Sequence, residues 1–190
     1  MAFHSMKQKV SNRGIPPDDF LEQLVDWGKT ASDDIFVRNN NVDIYSDVVG
    51  TLGPWEDLLH RRAAMLEVMR VLAGFESSWD WNADVDTTNS ASNTPQTMEA
   101  GAFQVSADSM NFGQELKDLV LAKVGSVDAT AFRKAMKEDH LLAMEYVARL
   151  LRRTVNHHGP VKNHQIDEWL RRGAVAEFRA LVTASEPPVA

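Results

Sequence analysis

The chain has 190 residues, the length of one typical domain. Hydrophobic residues make up 44 % and charged residues 25 %, the balance of a folded globular domain, and Gly 10 with Pro 7 is too few for a fibrous or linker-rich chain. With 20 Lys and Arg against 27 Asp and Glu, the net charge of -7 and the scattered basic residues argue against a nucleic-acid binder. The longest apolar runs are too short to span a membrane. No cysteine occurs, so disulfides, thiolate metal sites and a cysteine nucleophile are excluded. Disulfides are optional at this size, so the compartment stays open. The opening MAFHSMKQKVSNRG has no apolar core, and no secretory leader is expected there.

Residues 1–15 are polar and are expected to fray, with a single domain over 16–184. Pro16-Pro17-Asp18-Asp19 opens a short helix carrying Phe20, Leu21, Leu24 and Val25, with Asp18 or Asp19 near its N-cap. The stretch 39–53, with three asparagines and two glycines, reads as loop with one helical turn at most. The clearest helix runs from Pro54 to Glu76. Proline suits a first helical position, and Glu56 and Asp57 suit the first turn. Leu59, Ala63, Leu66, Met69, Ala73 and Glu76 recur at three and four, so Glu76 continues the stripe that faces the core. Residues 77–100 are polar, turn-rich and too long for an idle connection. A small hairpin fits within 77–106. Further helices are predicted over 113–124, 128–138, 139–156 and 163–183, with Gly125 and Gly159 as stops. The tail from Ser185 to Ala190 is expected to be disordered. The fold class is therefore mainly α.

Glu76 carries the chemistry of this reading. A carboxylate at a helix C-terminus feels the negative end of the dipole, and partial burial beside Trp79 and Trp81 disfavours its charged form. Both effects raise the pKa, as a general acid near neutral pH requires. Taken by position alone, Glu76 reads first as a surface residue at a frayed helix end.

The residues downstream change the weighting. Glu76-Ser77 is followed by Gly101-Ala102-Phe103-Gln104-Val105-Ser106 and then by Val155-Asn156-His157-His158-Gly159-Pro160. In this order the chain resembles the lysozyme-like superfamily, nearest the soluble lytic transglycosylases and goose-type lysozymes. That family shows Glu-Ser at the end of a buried helix, Gly-x-x-Gln-hydrophobic, and Tyr-Asn-x-Gly. Val155 stands where the family has Tyr, and one extra residue separates Asn156 from Gly159. The resemblance covers about residues 55–160. It implies a two-lobed helical fold with a sugar cleft between the lobes. It also implies that Glu76 protonates the glycosidic oxygen, while Ser77, Gln104, Ser106 and Asn156 line the subsites. No cofactor is implied.

A hydrolase of this kind uses a second carboxylate, whereas lytic transfer manages with one acid because a hydroxyl of the substrate attacks. The candidates are Glu99, beside the Gly101 turn, then Asp86, then Asp84; Asp80 lies in the same segment. Any one of them taken singly reads first as a solvated loop charge. Asp84 to Asn89 alternates acids as a calcium loop does, but lacks its Gly and terminal Glu, so no metal is expected. Indole covers the apolar face of a sugar. At a spacing of two, one of Trp79 and Trp81 is expected in the cleft, with Trp79 preferred, and the other in the core. Trp27, Trp55 and Trp169 read as core anchors. His157, His158 and His164 read as helix-end residues rather than a metal site. Three classes stay open: an enzyme on peptidoglycan, an enzyme on chitin or chitosan, and a non-catalytic sugar-binding module. The charge of -7 suits polycationic chitosan.

Overall fold

The computed structural model describes residues 3–84 and 93–184. Asp86 and the tail 185–190 lie outside the described residues. The chain is mainly helical, with helices α1 (Asp18–Thr30), α2 (Ile44–Leu52), α3 (Leu58–Ser77), α4 (Gln114–Val124), α5 (Ala129–Glu138), α6 (His140–Arg153), α7 (Gly159–Lys162) and α8 (Arg172–Thr183). A two-residue antiparallel ribbon, β1 (Glu99–Ala100) with β2 (Val105–Ser106), pairs Glu99 with Ser106 and Ala100 with Val105. Among the described residues, no helix is long and apolar enough to cross a membrane.

Several helix ends fall where side chains fix them locally. The Asp128 carboxylate accepts from the amides of Thr130 and Ala131, and that of Asp139 from Leu142. Gly125 closes α4 in the left-handed region at φ 77°. The long helix α3 begins at Leu58 and not at Pro54, because Asp57 caps it by accepting the His60 amide at 2.6 Å. Likewise α2 is a full helix and not a loop, started by an Asp43–Ser46 capping box.

Helix α3 is the axis of the molecule. Helices α1, α6, α7 and α8 all pack against it, and every residue from His60 to Gly74 is buried. The apolar stripe is therefore only part of its buried surface, and three arginines on the helix must be satisfied inside the protein. Arg61 donates to the Phe36 carbonyl, and Arg62 to the carbonyls of Gly28 and Ala31. Arg70 makes a two-pronged pair with Glu67 at 2.6 and 2.7 Å. Helices α4 and α5 and the ribbon form a second group, and α6 touches both groups.

Two further expectations are corrected. Residues 3–15 are held in place: Ser5–Lys7 forms a 3-10 turn against α8, and Met6 and Val10 are fully buried. The segment 163–183 is not one helix. It contains a 3-10 turn at Asp167–Trp169, and α8 starts only at Arg172. The Arg171 amide donates to buried Glu67 at 2.9 Å, so that amide is bonded across the core and not along a helix.

Candidate active site

Helix α3 ends in a tight reversal. Ser78 and Trp79 both adopt positive φ, 60° and 64°, a conformation rare outside glycine that costs of order 1–3 kcal/mol per residue. The reversal folds Trp79 back over its own helix. Its ring lies on Gly74, where a Cβ would meet Trp79 Cζ2 at 2.6 Å, and its Nε1 donates to the Arg70 carbonyl. Trp79 is 4 % exposed, so it is a core residue and not a sugar platform. Trp81 is buried too, stacked on His140 at 4.0 Å and packed against Phe20 and Phe103. Neither indole opens onto solvent, which corrects the expected division between cleft and core.

Ser77 ties the helix end to the Gly101 turn. Its Oγ donates to the Ala102 carbonyl at 2.8 Å and accepts the Asp80 amide at 3.0 Å. Within the turn, Gln104 sits at φ 45°, and its amide donates to the Gly101 carbonyl at 3.0 Å. Gly101 is required by its own neighbour: at φ 75°, an added Cβ would meet the Met136 carbonyl of α5 at 2.5 Å. Close approach here is to α5, and it sets the turn against the second helix group.

The Glu76 side chain remains 18 % exposed beside this turn. Burial pushes its carboxyl up to about 7, and the Arg13 guanidinium opposes that rise. Arg13 is carried by a turn closed between Val10 and Gly14, so the ordered N-terminal segment reaches the site. The other neighbour is His158, whose Nδ1 stands 3.6 Å from Glu76 Oε1. His158 has no exposed side-chain surface, and neither of its ring nitrogens has a hydrogen-bond partner among the described residues. Burial holds His158 down to about 4 and His157, its edge-on neighbour, down to about 3. Both rings are therefore neutral at pH 7. His158 is packed into the site because α7 rests on α3.

Glu99 is half-buried on β1 opposite Ser106. Asp84, 74 % exposed, pairs with Lys137 at 2.8 Å as a surface contact to α5. Asp80 accepts the Asn82 amide in an exposed turn. Ser106 is buried beneath the turn, and its carbonyl accepts from Ser109. Asn156 is exposed, and its loop reaches Glu76 through His158. His164 pairs with Asp167. Among the described residues, no group of three or more His, Asp and Glu is gathered for a metal. Arg13 and His158 carried no readable motif. The one available signal was two adjacent histidines ahead of Gly159-Pro160.

A cavity of about 750 Å³ lies at the other end of α3 from this site. Trp55, Tyr45, Arg61 and Arg38 are on its walls, around the start of α3. At 1.5 Å per residue, the helix sets Arg61 and Leu58 on its wall roughly 22–27 Å from Glu76. Its acids are largely committed: Asp43 to Arg152, and Glu56 and Asp57 to Arg179.

Comparison with family models finds no match, and comparisons with curated proteins and with solved structures find none that is significant.

Proposed function

We propose that the protein cleaves β-1,4-linked amino-sugar polymers, with peptidoglycan as the first substrate, and that Glu76 is the general acid. The observation that carries this reading is the Glu76 carboxyl held up to about 7 at the partly open end of a buried helix. An acid with that pKa is still substantially protonated near neutral pH, where an ordinary glutamate has lost its proton. The Ser77–Ala102 bond adds support, because it sets the acid beside the turn that the lysozyme-like motif places along the sugar. The two helix groups joined through α6 fit a two-lobed arrangement.

In the proposed reaction the Glu76 proton moves to the glycosidic oxygen, and the bond from that oxygen to the anomeric carbon breaks with its electron pair. The anomeric carbon is then taken by water, or by the C6 hydroxyl of the same sugar. On the internal route the Glu76 carboxylate accepts the proton that the C6 hydroxyl releases. On the water route a second carboxylate takes part, either as the base that accepts the water's proton or as a nucleophile displaced by water while Glu76 accepts that proton. Water leaves a reducing end; the internal hydroxyl leaves a 1,6-anhydro end. Chitosan is the second substrate class, favoured by the net charge of -7. The test is to incubate the protein and Glu76→Gln with peptidoglycan, chitin and chitosan, and to analyse the ends produced. Cleavage lost in the variant supports the proposal. No cleavage of any of the three, or equal cleavage by the variant, overturns it.

A further inference from the structure

Among the described residues, both ring nitrogens of His158 are buried without a hydrogen-bond partner. A buried polar atom without a partner costs free energy and calls for a reason. One of these two atoms, Nδ1, stands 3.6 Å from Oε1 of Glu76, whose carboxyl burial pushes up to about 7.

The chemistry of the pair is constrained. A neutral imidazole has one donor nitrogen and one acceptor. A protonated carboxyl has one hydrogen to donate. If His158 keeps its hydrogen on Nε2, then Nδ1 faces Glu76 as an acceptor, and a closure of roughly 0.6–0.9 Å makes a hydrogen bond. If Glu76 were ionised beside a neutral His158 of that tautomer, two lone pairs would face each other with no hydrogen between them. The pair therefore favours holding one proton between its members.

We propose that His158 is the positioning residue of this site: its Nδ1 accepts the Glu76 carboxylic hydrogen and keeps that carboxyl both protonated and aimed. The inference rests on the reading of Glu76 as the proton donor. His158 touches no reacting atom; it acts through Glu76. Burial supports the assignment, since it pushes the carboxyl up to about 7 and holds the imidazole down to about 4, which leaves the shared proton on Glu76. The other groups facing the pair are Arg13, from the N-terminal segment, and His157, from the loop before α7. Asp108, from the 3-10 turn Ala107–Phe112, acts on His157. Arg13 weakens the protonated form, and neutral His157 adds no charge.

The test reads the His158 ring directly by imidazole ¹⁵N NMR on the full chain, from about pH 5 to about pH 9. The expected result is the Nε2–H tautomer, with an inflection in the ring shifts that follows the Glu76 titration. In Glu76→Gln that inflection disappears while the ring stays buried. An Nδ1–H tautomer, or a His158 ring that ignores the Glu76 titration, overturns the proposal. Neither readout needs catalysis. A ring that follows Glu76 in a protein that cleaves no glycan retains the pairing and removes the glycosidase reading; cleavage with an indifferent ring does the reverse. Where glycan is cleaved, His158→Asn should lower kcat on the order of tenfold to a hundredfold with KM little changed. It should also shift the basic limb of the pH profile, which a merely structural defect would not do.

Discussion

Ser77 Oγ donates to the Ala102 carbonyl at 2.8 Å, across 25 positions of sequence, and accepts the Asp80 amide on its other side. One hydroxyl thus joins the end of α3, the reversal after it and the Gly101 turn. Ser77→Ala leaves a carbonyl and an amide without that partner. It should lose about 1–3 kcal/mol of unfolding free energy by denaturant titration. An unchanged midpoint would show that water replaces the hydroxyl and that the join is incidental.

The Glu67–Arg70 pair should be costly to break and inexpensive to replace. Both side chains have no exposure, and Glu67 also accepts the Arg171 amide. Glu67→Leu strands a buried guanidinium and should destabilise the protein by about 3–5 kcal/mol. The double change Glu67→Leu with Arg70→Met removes both charges and should cost less than Glu67→Leu alone. Thermal melts of the single and double variants decide this, and a double variant weaker than the single contradicts it.

Stability should depend on pH in opposite senses through the two partners at the site. The folded Glu76 carboxyl titrates at about 7 against an ordinary 4.5. The folded state therefore binds more proton in that window, and its stability falls as pH rises through it. His157 and His158, held at about 3 and about 4 against 6.5, contribute stability above 6.5 that is lost as pH falls. Glu76→Gln removes only the first effect. It should melt higher than wild type at about pH 8, by up to about 3 kcal/mol, and show little of that gain at about pH 4. An equal difference at both pH values argues that Glu76 is not held above its ordinary range.

On whichever glycan proves to be cleaved, Glu76→Gln should reduce turnover by about 10²-fold or more, since glutamine keeps the shape and loses the proton. Asp84→Asn should leave turnover within about twofold, because Asp84 is committed to Lys137 at the surface. Glu99→Gln and Asp86→Asn then separate the routes. A large loss in either, with reducing ends as product, identifies the second carboxylate of a hydrolase. No loss in both, with 1,6-anhydro ends, identifies lytic transfer.

The sequence alone settled the features that arise within a few residues. Asp128, Asp139 and Gly125 bound their helices because capping is local: a side chain reaches amides two or three positions away. The helical stripe placed Glu76 at the end of a buried helix for the same reason. What lies around that helix was decided by tertiary packing. Glu67 and Arg70, at a spacing of three, look like an exposed pair on any helix; they are a buried pair because α3 is covered on every side. Trp79 looks like a sugar platform until the reversal after Ser77 lays it on Gly74. Met6, in a polar segment, becomes core because α8 offers its turn a surface. His158 meets Glu76 across about 80 residues because α7 docks on α3. The strength of Glu76 as an acid depends on which groups exclude water from it, and desolvation is a property of the assembled surroundings that local sequence does not carry.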